Sequence, residues 1–239
     1  DGDMLPPVYE SPEIARYVTA KTAELTGLKE GTPVVGGAGD NAAAAVGIGV
    51  VRDGEGFTTI GTSGVVYAHT SKVSIDAYGR AQTFCCAVPG AWSVLGTTQA
   101  AGLSLKWFKE NFCLAEELRA GKAGADVYAV MDSEAAQSPI GANRLLFLPY
   151  LMGERTPHLN PDCRGVFFGL SASHTRADAI RAVMEGVSYS LAEALGVLKD
   201  MGVSPSRMLV CGGGAKSALW RQMLADIYGC GVSAAGGEG

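Results

Sequence analysis

The sequence contains little charge, and basic residues are the scarcer kind. Charged residues make up 18% of the 239 residues, and 19 Lys and Arg against 24 Asp and Glu give a formal net charge of -5 at pH 7. Proteins that bind nucleic acids or anionic membranes usually carry clustered positive charge. The balance therefore argues against either as the main partner. It still permits a phosphorylated ligand, because backbone N–H groups bind phosphate without lysine.

Long apolar runs and paired cysteines are also missing. The longest apolar stretch, residues 42–51, is about half of the roughly 20 residues that a membrane helix needs. The six cysteines form no C-x-x-C pair, and their spacing indicates neither zinc nor a disulfide framework. We therefore expect reduced structural thiols and a cytoplasmic location.

The common nucleotide and hydrolase motifs are absent as well. The P-loop pattern fails before Lys216, because Ala215 and Val210 stand where that pattern needs glycine. The Rossmann pattern fails after both Gly37 and Gly47, and no G-x-S-x-G elbow occurs. The three histidines show no metal spacing, so we interpret each as a surface or loop residue.

Glycine, in contrast, is abundant. The 33 glycines are about twice the number expected from a usual share of about 7%. They cluster at residues 36–39, 47–49, 61–64, 212–214 and 236–239. Where such clusters follow strands, tight turns let the backbone approach a ligand closely. Ligands of α/β proteins gather at the carboxyl ends of strands, and a following helix adds a positive dipole. This layout suits a nucleotide.

Hydrophobic periodicity predicts an α/β fold with a mixed sheet. The clearest helix spans residues 175–200, begins with a capping box of Thr175 and Asp178, and has an apolar stripe. Further helices are predicted at 11–26 (capped by Ser11), 41–46, 103–112, 123–136 and 217–228. Strands are predicted at 33–36, 57–60, 65–70, 83–88, 92–97, 145–150 and 208–211, with the run at 145–150 buried. The polar stretch 52–56 is the candidate domain boundary.

Several motifs together resemble those of the FGGY carbohydrate kinase family, in the same order. Residues 34–47, which contain Asp40, are similar to the family's stretch with the catalytic aspartate. Residues 60–64 resemble its second phosphate motif, and residues 212–217 its adenosine motif.

Two further stretches support the resemblance, which covers nearly the whole chain. Residues 165–170 and the helix after them resemble the family signature, although Ala179 is smaller than the signature prefers. Residues 147–158 resemble xylulokinases more than glycerol kinases.

The resemblance implies a ribonuclease H-like domain of the actin, hexokinase and Hsp70 ATPase type, as a fragment of a two-domain kinase. Residues 1–53 would be the tail of the N-terminal domain. Residues 54–239 would be the C-terminal domain, incomplete at its C-terminal end. The missing N-terminal domain would be a partner and would hold most sugar contacts. ATP and Mg²⁺ would be the cofactors, no metal ligand is assigned in this chain, and a homodimer is considered.

In the family's reaction, Asp40 would act as the general base that accepts the proton of the attacking sugar hydroxyl. The alternative interpretation of Asp40 is a helix N-cap, a position that aspartate often occupies. We favour the catalytic role, and one residue can serve both.

The resemblance also assigns nucleotide contacts. Gly61, Thr62 and Ser63 would donate to the β- and γ-phosphates, although a plain hairpin turn is the alternative. Gly102 would line the nucleotide site or simply make a close helix contact. Residues that would flank the adenine, or form only a strand-to-helix turn, are Gly213, Gly214, Ala215 and Ser217.

The expected function is ATP-dependent phosphorylation of D-xylulose to D-xylulose 5-phosphate, with this chain alone inactive. A kinase for gluconate, ribulose or glycerol is one alternative. A non-catalytic nucleotide-binding module and a structural fragment that binds nothing are others. We interpret Glu154 and Arg155 as loop anchors or an ion pair, and the three tryptophans as core residues.

Overall fold

The computed structural model describes residue 4 and residues 6–236. The last residues of the predicted C-terminal domain, 237–239, lie outside the described part. In chain order the elements are β1 (Ile14–Tyr17), α1 (Ala20–Thr26), β2 (Pro33–Val35), α2 (Asp40–Gly47), β3 (Glu55–Ile60), β4 (Gly64–Thr70), β5 (Gln82–Cys85), β6 (Trp92–Thr98), α3 (Gly102–Phe112), α4 (Leu114–Ala123), α5 (Val127–Ala135), β7 (Leu146–Leu148), β8 (Val166–Phe168), α6 (Arg176–Asp200), β9 (Arg207–Cys211), α7 (Ala218–Tyr228) and β10 (Gly231–Ala234).

A mixed sheet forms the centre of the described chain. Its strand order is β10-β9-β3-β4-β6-β5. β10, β9 and β3 are parallel neighbours, whereas β3, β4, β6 and β5 pair antiparallel. Two smaller antiparallel pairs, β1 with β2 and β7 with β8, lie outside it. The predicted mixed α/β architecture is confirmed.

Helix α6 supplies the main core on one face of this sheet. The Thr175 side chain accepts a hydrogen bond from the backbone N–H of Asp178, and the Asp178 carboxylate accepts one from the N–H of Thr175. This reciprocal pair confirms the predicted capping box. All residues from Arg181 to Ser188 are buried, and the helix shares one apolar cluster with Val66 and Val94 of the sheet.

Helix α2 contributes to a second cluster on the opposite face. Ala45 packs there with Phe57, Tyr67 and Leu95. Neighbouring residues of a strand point to opposite faces, so Tyr67 faces this cluster while Val66 faces α6. The sheet is therefore covered on both sides.

The predicted helix at residues 11–26 is wrong in its first half. That segment forms β1, which pairs with β2 so that Tyr17 lies opposite Pro33. Helix α1 is capped by Thr19 instead of Ser11, and it ends at Gly27, whose φ of 75° is left-handed. Pairing with a strand that is distant in sequence overrode the local helix signal.

Residues 113–148 differ from prediction in two respects. The helix expected at 123–136 is confirmed as α5 but begins only at Val127, and the helix α4 before it, which ends at Gly124 with a φ of 63°, was not predicted. The strand expected to be buried, β7, is buried on one face only: Phe147 is buried, whereas Leu146 and Leu148 are 46% and 40% exposed, because neighbouring residues of a strand point to opposite faces. Strand β10, which was not predicted, extends the parallel side of the main sheet.

The histidine expectation is wrong for one residue. His69 is buried in β4, which pairs with β3 on one edge and β6 on the other. Burial lowers the pKa of His69, against the opposing charges of Asp53 and Glu55. His158 and His174 lie in loops, as predicted.

Candidate functional site

A cavity of about 430 Å³ opens where β3 and β9 end. It is bounded by the turn after β3, the start of α3, helix α5 and the segment between β9 and α7. Its volume lies within the range of about 300–1,000 Å³ that is usual for small-molecule sites. Because β3 and β9 are parallel neighbours, their glycine-rich carboxyl ends meet here.

The turn between β3 and β4 leaves two backbone N–H groups available. Those of Thr62 and Ser63 donate to no backbone carbonyl in the described part of the chain. The carbonyl of Thr62 is used, since it accepts from the N–H groups of Ala101 and Leu103 at 3.1 Å each. The turn thus directs a carbonyl at α3 and keeps two donors that suit an anion.

Two glycines beside the cavity leave no room for a side chain. A Cβ on Gly102 would lie 2.5 Å from the carbonyl oxygen of Gly61, and a Cβ on Gly214 would lie 2.6 Å from Cγ2 of Ile60. A Cβ on Gly213 would meet nothing within 4 Å. Gly102 therefore makes the close helix contact considered above, and it also lines the cavity.

Charged side chains of both signs line the same cavity. The cations are Lys106 of α3 and Lys216 before α7. The anions are Asp126, which is the N-cap of α5, and Asp132, which lies within α5. Asp126 is exposed, and its carboxylate caps α5 by accepting from the N–H of Tyr128 at 3.0 Å. Asp132 is half-buried.

The environment of Asp132 changes its acidity. Burial raises the pKa of Asp132, hydrogen bonding with the Ser217 side chain opposes that rise, and the charge of Asp126 adds to it. Ser217 is itself fixed, because its hydroxyl oxygen accepts from the N–H of Trp220 at 3.0 Å. Asp132 of α5 and Ser217 at the start of α7 both line the cavity.

The structure brings most of the predicted nucleotide residues together. Those that line the cavity are Gly61, Thr62, Gly102, Gly213, Gly214 and Ser217. Ser63 and Ala215 do not line it: Ser63 lies in the adjoining turn, and Ala215 packs against the main core. Their assignment to ATP stays a prediction.

Sequence reasoning missed the contribution of α5. Asp126, Ala129 and Asp132 all line the cavity, and their spacing of three residues places them on one side of a helix. That spacing was visible in the sequence. It carried no functional meaning until the fold placed α5 beside Ser217.

Asp40 is the first residue of α2 and is exposed. The N-cap is Gly39, which has no side chain to cap with, so the N-cap interpretation of Asp40 is wrong. Its carboxylate accepts from the N–H of Asn41 at 2.7 Å and forms no ion pair with a described residue. Asp40 does not line the cavity.

Glu154 anchors its loop, as expected, without an ion pair among the described residues. Its buried carboxylate accepts from the hydroxyl of Thr98 at 2.5 Å and from the N–H of Gln99 at 3.0 Å. The N–H of Arg155 donates to it at 2.7 Å. Of the tryptophans, Trp220 is buried and also lines the cavity.

The described residues contain neither a metal-binding cluster nor a helix that could cross a membrane. No group of three or more His, Cys, Asp or Glu side chains there is arranged to hold a metal ion. No helix among them combines the length and hydropathy that membrane crossing requires.

Family profiles match almost the whole chain. The C-terminal domain of the FGGY family of carbohydrate kinases matches residues 56–238, and the N-terminal domain of the same family matches residues 1–47. The chain belongs to the FGGY family of carbohydrate kinases. The predicted family membership is therefore confirmed.

Individual FGGY kinases agree with this membership. A xylulose kinase of Staphylococcus epidermidis is 40% identical over 228 residues, which are 95% of this chain and 44% of that protein. A gluconokinase of Bacillus subtilis is 37% identical over the same shares. This chain thus spans less than half the length of these relatives.

A solved FGGY structure confirms the predicted fold. The crystal structure of a kinase from Brucella ovis, described as a xyloylose kinase, superposes with a TM-score of 0.87 at 31% identity. The match covers 100% of this chain and 46% of that one.

Proposed function

We propose that the intact protein containing this chain transfers the γ-phosphoryl group of ATP to a sugar hydroxyl, with D-xylulose as the preferred sugar. The observation that carries the proposal is that six of the eight residues expected to contact nucleotide line one and the same cavity. Its glycine-lined end, at Gly61 and Gly214, would admit phosphates and a flat ring.

The chain's own groups fit the nucleotide part of this reaction. The N–H groups of Thr62 and Ser63 would hold phosphate oxygens. The cations of Lys106 and Lys216 lie at the same cavity. No described carboxylate cluster would hold Mg²⁺ by itself. Mg²⁺, when bound with ATP, neutralises phosphate charge and is usually held largely by phosphate oxygens.

Asp40 is proposed as the general base for the sugar hydroxyl. Its exposure and its lack of a cationic partner in the described chain leave the carboxylate free to accept a proton. The sugar would come to Asp40 from the N-terminal domain side. We expect this chain alone to give no turnover, since residues 1–47 alone match the N-terminal domain of the family.

The choice of sugar rests on similarity. The xylulose kinase of Staphylococcus epidermidis is 40% identical and the gluconokinase of Bacillus subtilis 37% identical over equal shares of this chain. Gluconate is therefore the second candidate. The homodimer, the cytoplasmic location and the domain boundary at residues 53–54 stay predictions.

A coupled ADP-release assay on the intact protein tests the proposal, with D-xylulose, D-gluconate, D-ribulose and glycerol as acceptors. We expect the highest kcat/KM with D-xylulose. If activity were highest with gluconate, the proposed sugar would be wrong, but the proposed phosphoryl transfer would stand. ATP binding without turnover on any acceptor would favour a non-catalytic nucleotide-binding module, and no binding at all would favour a structural fragment.

A further inference from the structure

Helix α5 forms one wall of the cavity and packs against α4 and α6. Its cavity residues are Tyr128, Ala129 and Asp132. Two of its nine residues, Met131 and Ala135, are buried and join the main core. Because so small a share of α5 is buried, its polar contacts with the neighbouring helices contribute to where the wall lies.

Glu134 lies on the side of α5 that faces away from Asp132 and the cavity. It follows Asp132 by two residues, and side chains two residues apart on an α-helix differ in direction by about 200°. The Glu134 carboxylate accepts a hydrogen bond from the guanidinium of Arg119 in α4. This ion pair therefore connects the back of the cavity wall to the neighbouring helix.

Helix α4 is itself fixed to α6 by a buried carboxylate. Glu116 of α4 is fully buried, and both of its oxygens accept from Nη1 of Arg176, at 2.9 and 3.1 Å. Burial alone would raise the pKa of Glu116, but hydrogen bonds from Arg176 outweigh it and hold the pKa below its ordinary value. The ionised Glu116 thus ties α4 to the first residue of α6.

Arg119 joins these two contacts. Its Nη2 donates to Glu116 at 2.8 Å and to Glu134, so one guanidinium bridges a carboxylate of α4 and a carboxylate of α5. The planar guanidinium is better suited to such a bridge than the flexible ammonium of lysine. The Arg119 side chain is 56% exposed, and its removal leaves the buried Glu116 still paired with Arg176.

We propose that Arg119 is a positioning residue of the nucleotide cavity, and that it holds α5 in place as a cavity wall through Glu134. This inference rests on the proposed nucleotide site. Neither Arg119 nor Glu134 lines the cavity, so each affects ATP through the position of α5. Isolated exposed ion pairs contribute little, whereas networks contribute more, so the expected effect on ATP is moderate.

Titration of the intact protein with ATP and steady-state kinetics test the inference in Arg119→Gln. We expect the Kd and the KM for ATP to rise about 3- to 10-fold. We expect kcat to stay within about twofold of the wild-type value, because a displaced wall weakens ground-state and transition-state binding alike.

Glu134→Gln and the double variant show whether the ion pair itself is responsible. Glu134→Gln removes the same pair from the other side, so we expect a similar rise in the Kd for ATP. Once Arg119 is absent, Glu134 has already lost this partner. The double variant should therefore bind ATP no more weakly than Arg119→Gln alone.

A second ion pair provides the matched control. Arg80 pairs with the buried carboxylate of Asp76 at 2.8 Å, and neither residue lines the cavity. Loss of one partner of such a pair destabilises a protein. Arg80→Gln should therefore lower stability toward urea and leave the Kd for ATP unchanged.

Three results would overturn the inference alone. Wild-type ATP affinity in Arg119→Gln and Glu134→Gln would show that the ion pair does not position the wall. Additive losses in the double variant would show that the two residues act through separate contacts. An equal loss of ATP affinity in Arg80→Gln would assign the effect to general destabilisation. If the unmodified protein bound no ATP, the proposed nucleotide site would be wrong as well, and this outcome is distinct from the other three.

Discussion

The backbone N–H of Gly102 donates a hydrogen bond of 2.7 Å to the carbonyl oxygen of Gly61. This bond joins the first residue of α3 to the turn that follows β3. The turn supplies the available N–H groups of Thr62 and Ser63, so the position of α3 fixes the direction in which these donors point.

The close approach at Gly102 predicts a measurable cost for a methyl group. In Gly102→Ala, the Cβ would lie 2.5 Å from the Gly61 oxygen, so backbone must shift. We expect the free energy of unfolding to fall by about 1–3 kcal/mol, although alanine favours helix more than glycine does. Urea denaturation measures it. Gly213→Ala, where a Cβ meets open space, is the control, and equal stability of the two variants would contradict the prediction.

The role proposed for Asp40 predicts a selective kinetic defect. Asp40→Asn removes the proton acceptor, so we expect kcat to fall by about 10²- to 10⁴-fold with the Kd for ATP unchanged. Steady-state assays and titration with ATP on the intact protein separate the two quantities. Asp226→Asn, an exposed change on α7, should leave kcat unaltered. A full rate in Asp40→Asn would remove Asp40 from the chemistry.

The capping box predicts a pH-dependent contribution to stability. Burial alone would raise the pKa of Asp178, but hydrogen bonds from Ser138, Thr175 and Asn143 outweigh it and hold the pKa well below its ordinary value. The ionised group therefore stabilises the fold above its unfolded pKa of about 3.9. This contribution is lost as the pH falls toward the folded pKa.

Asp178→Asn tests this contribution directly. We expect the variant to be less stable than the wild type by about 2 kcal/mol at pH 7, with this difference narrowing below about pH 4, where the unfolded wild-type chain binds a proton at Asp178 that the folded state does not. Denaturation with urea at several pH values checks it. Asp162→Asn, in an exposed loop, should show no such dependence. A stability difference that does not change with pH would indicate that altered packing, and not the lost charge, destabilises the variant.

The buried carboxylate of Glu154 predicts sensitivity to a near-isosteric change. Four donors point at it, from Thr98, Gln99, Arg155 and Ser190. In Glu154→Gln, the amide group would face at least one of these donors with its own N–H, so we expect a loss of about 2 kcal/mol in the free energy of unfolding. Thermal or urea denaturation measures it, with the exposed Glu24→Gln as control. Unchanged stability would show that the loop rearranges freely.

Local signals in the sequence identified much of the fold. The capping box at Thr175 was predictable because both partners lie within four residues of each other. The hairpin of β3 and β4 was predictable because its turn carries glycine at both ends. The prediction of a helix from residue 11 was wrong in its first half, because the pairing of Tyr17 with Pro33 involves residues that are far apart in the sequence.

The candidate site likewise combines residues that local motifs identify with residues that only the fold brings together. Its glycines follow strands along the chain and could be found from motifs. Asp132 could not, because the packing of α5 against α4 and α6 brings it to the same cavity as Ser217, more than 80 residues later in the sequence. The fold itself, and no residue pattern, makes these two side chains neighbours.

The middle of α6, covered on every side from Arg181 to Ser188, has a consequence for hydrogen exchange. Amides in such a segment meet deuterated solvent when the surrounding structure opens as a unit. Helix α1, which has no buried residue, exchanges through local fraying. The two helices therefore report separate events within one molecule: α6 records global opening, and α1 records the loosening of its own end.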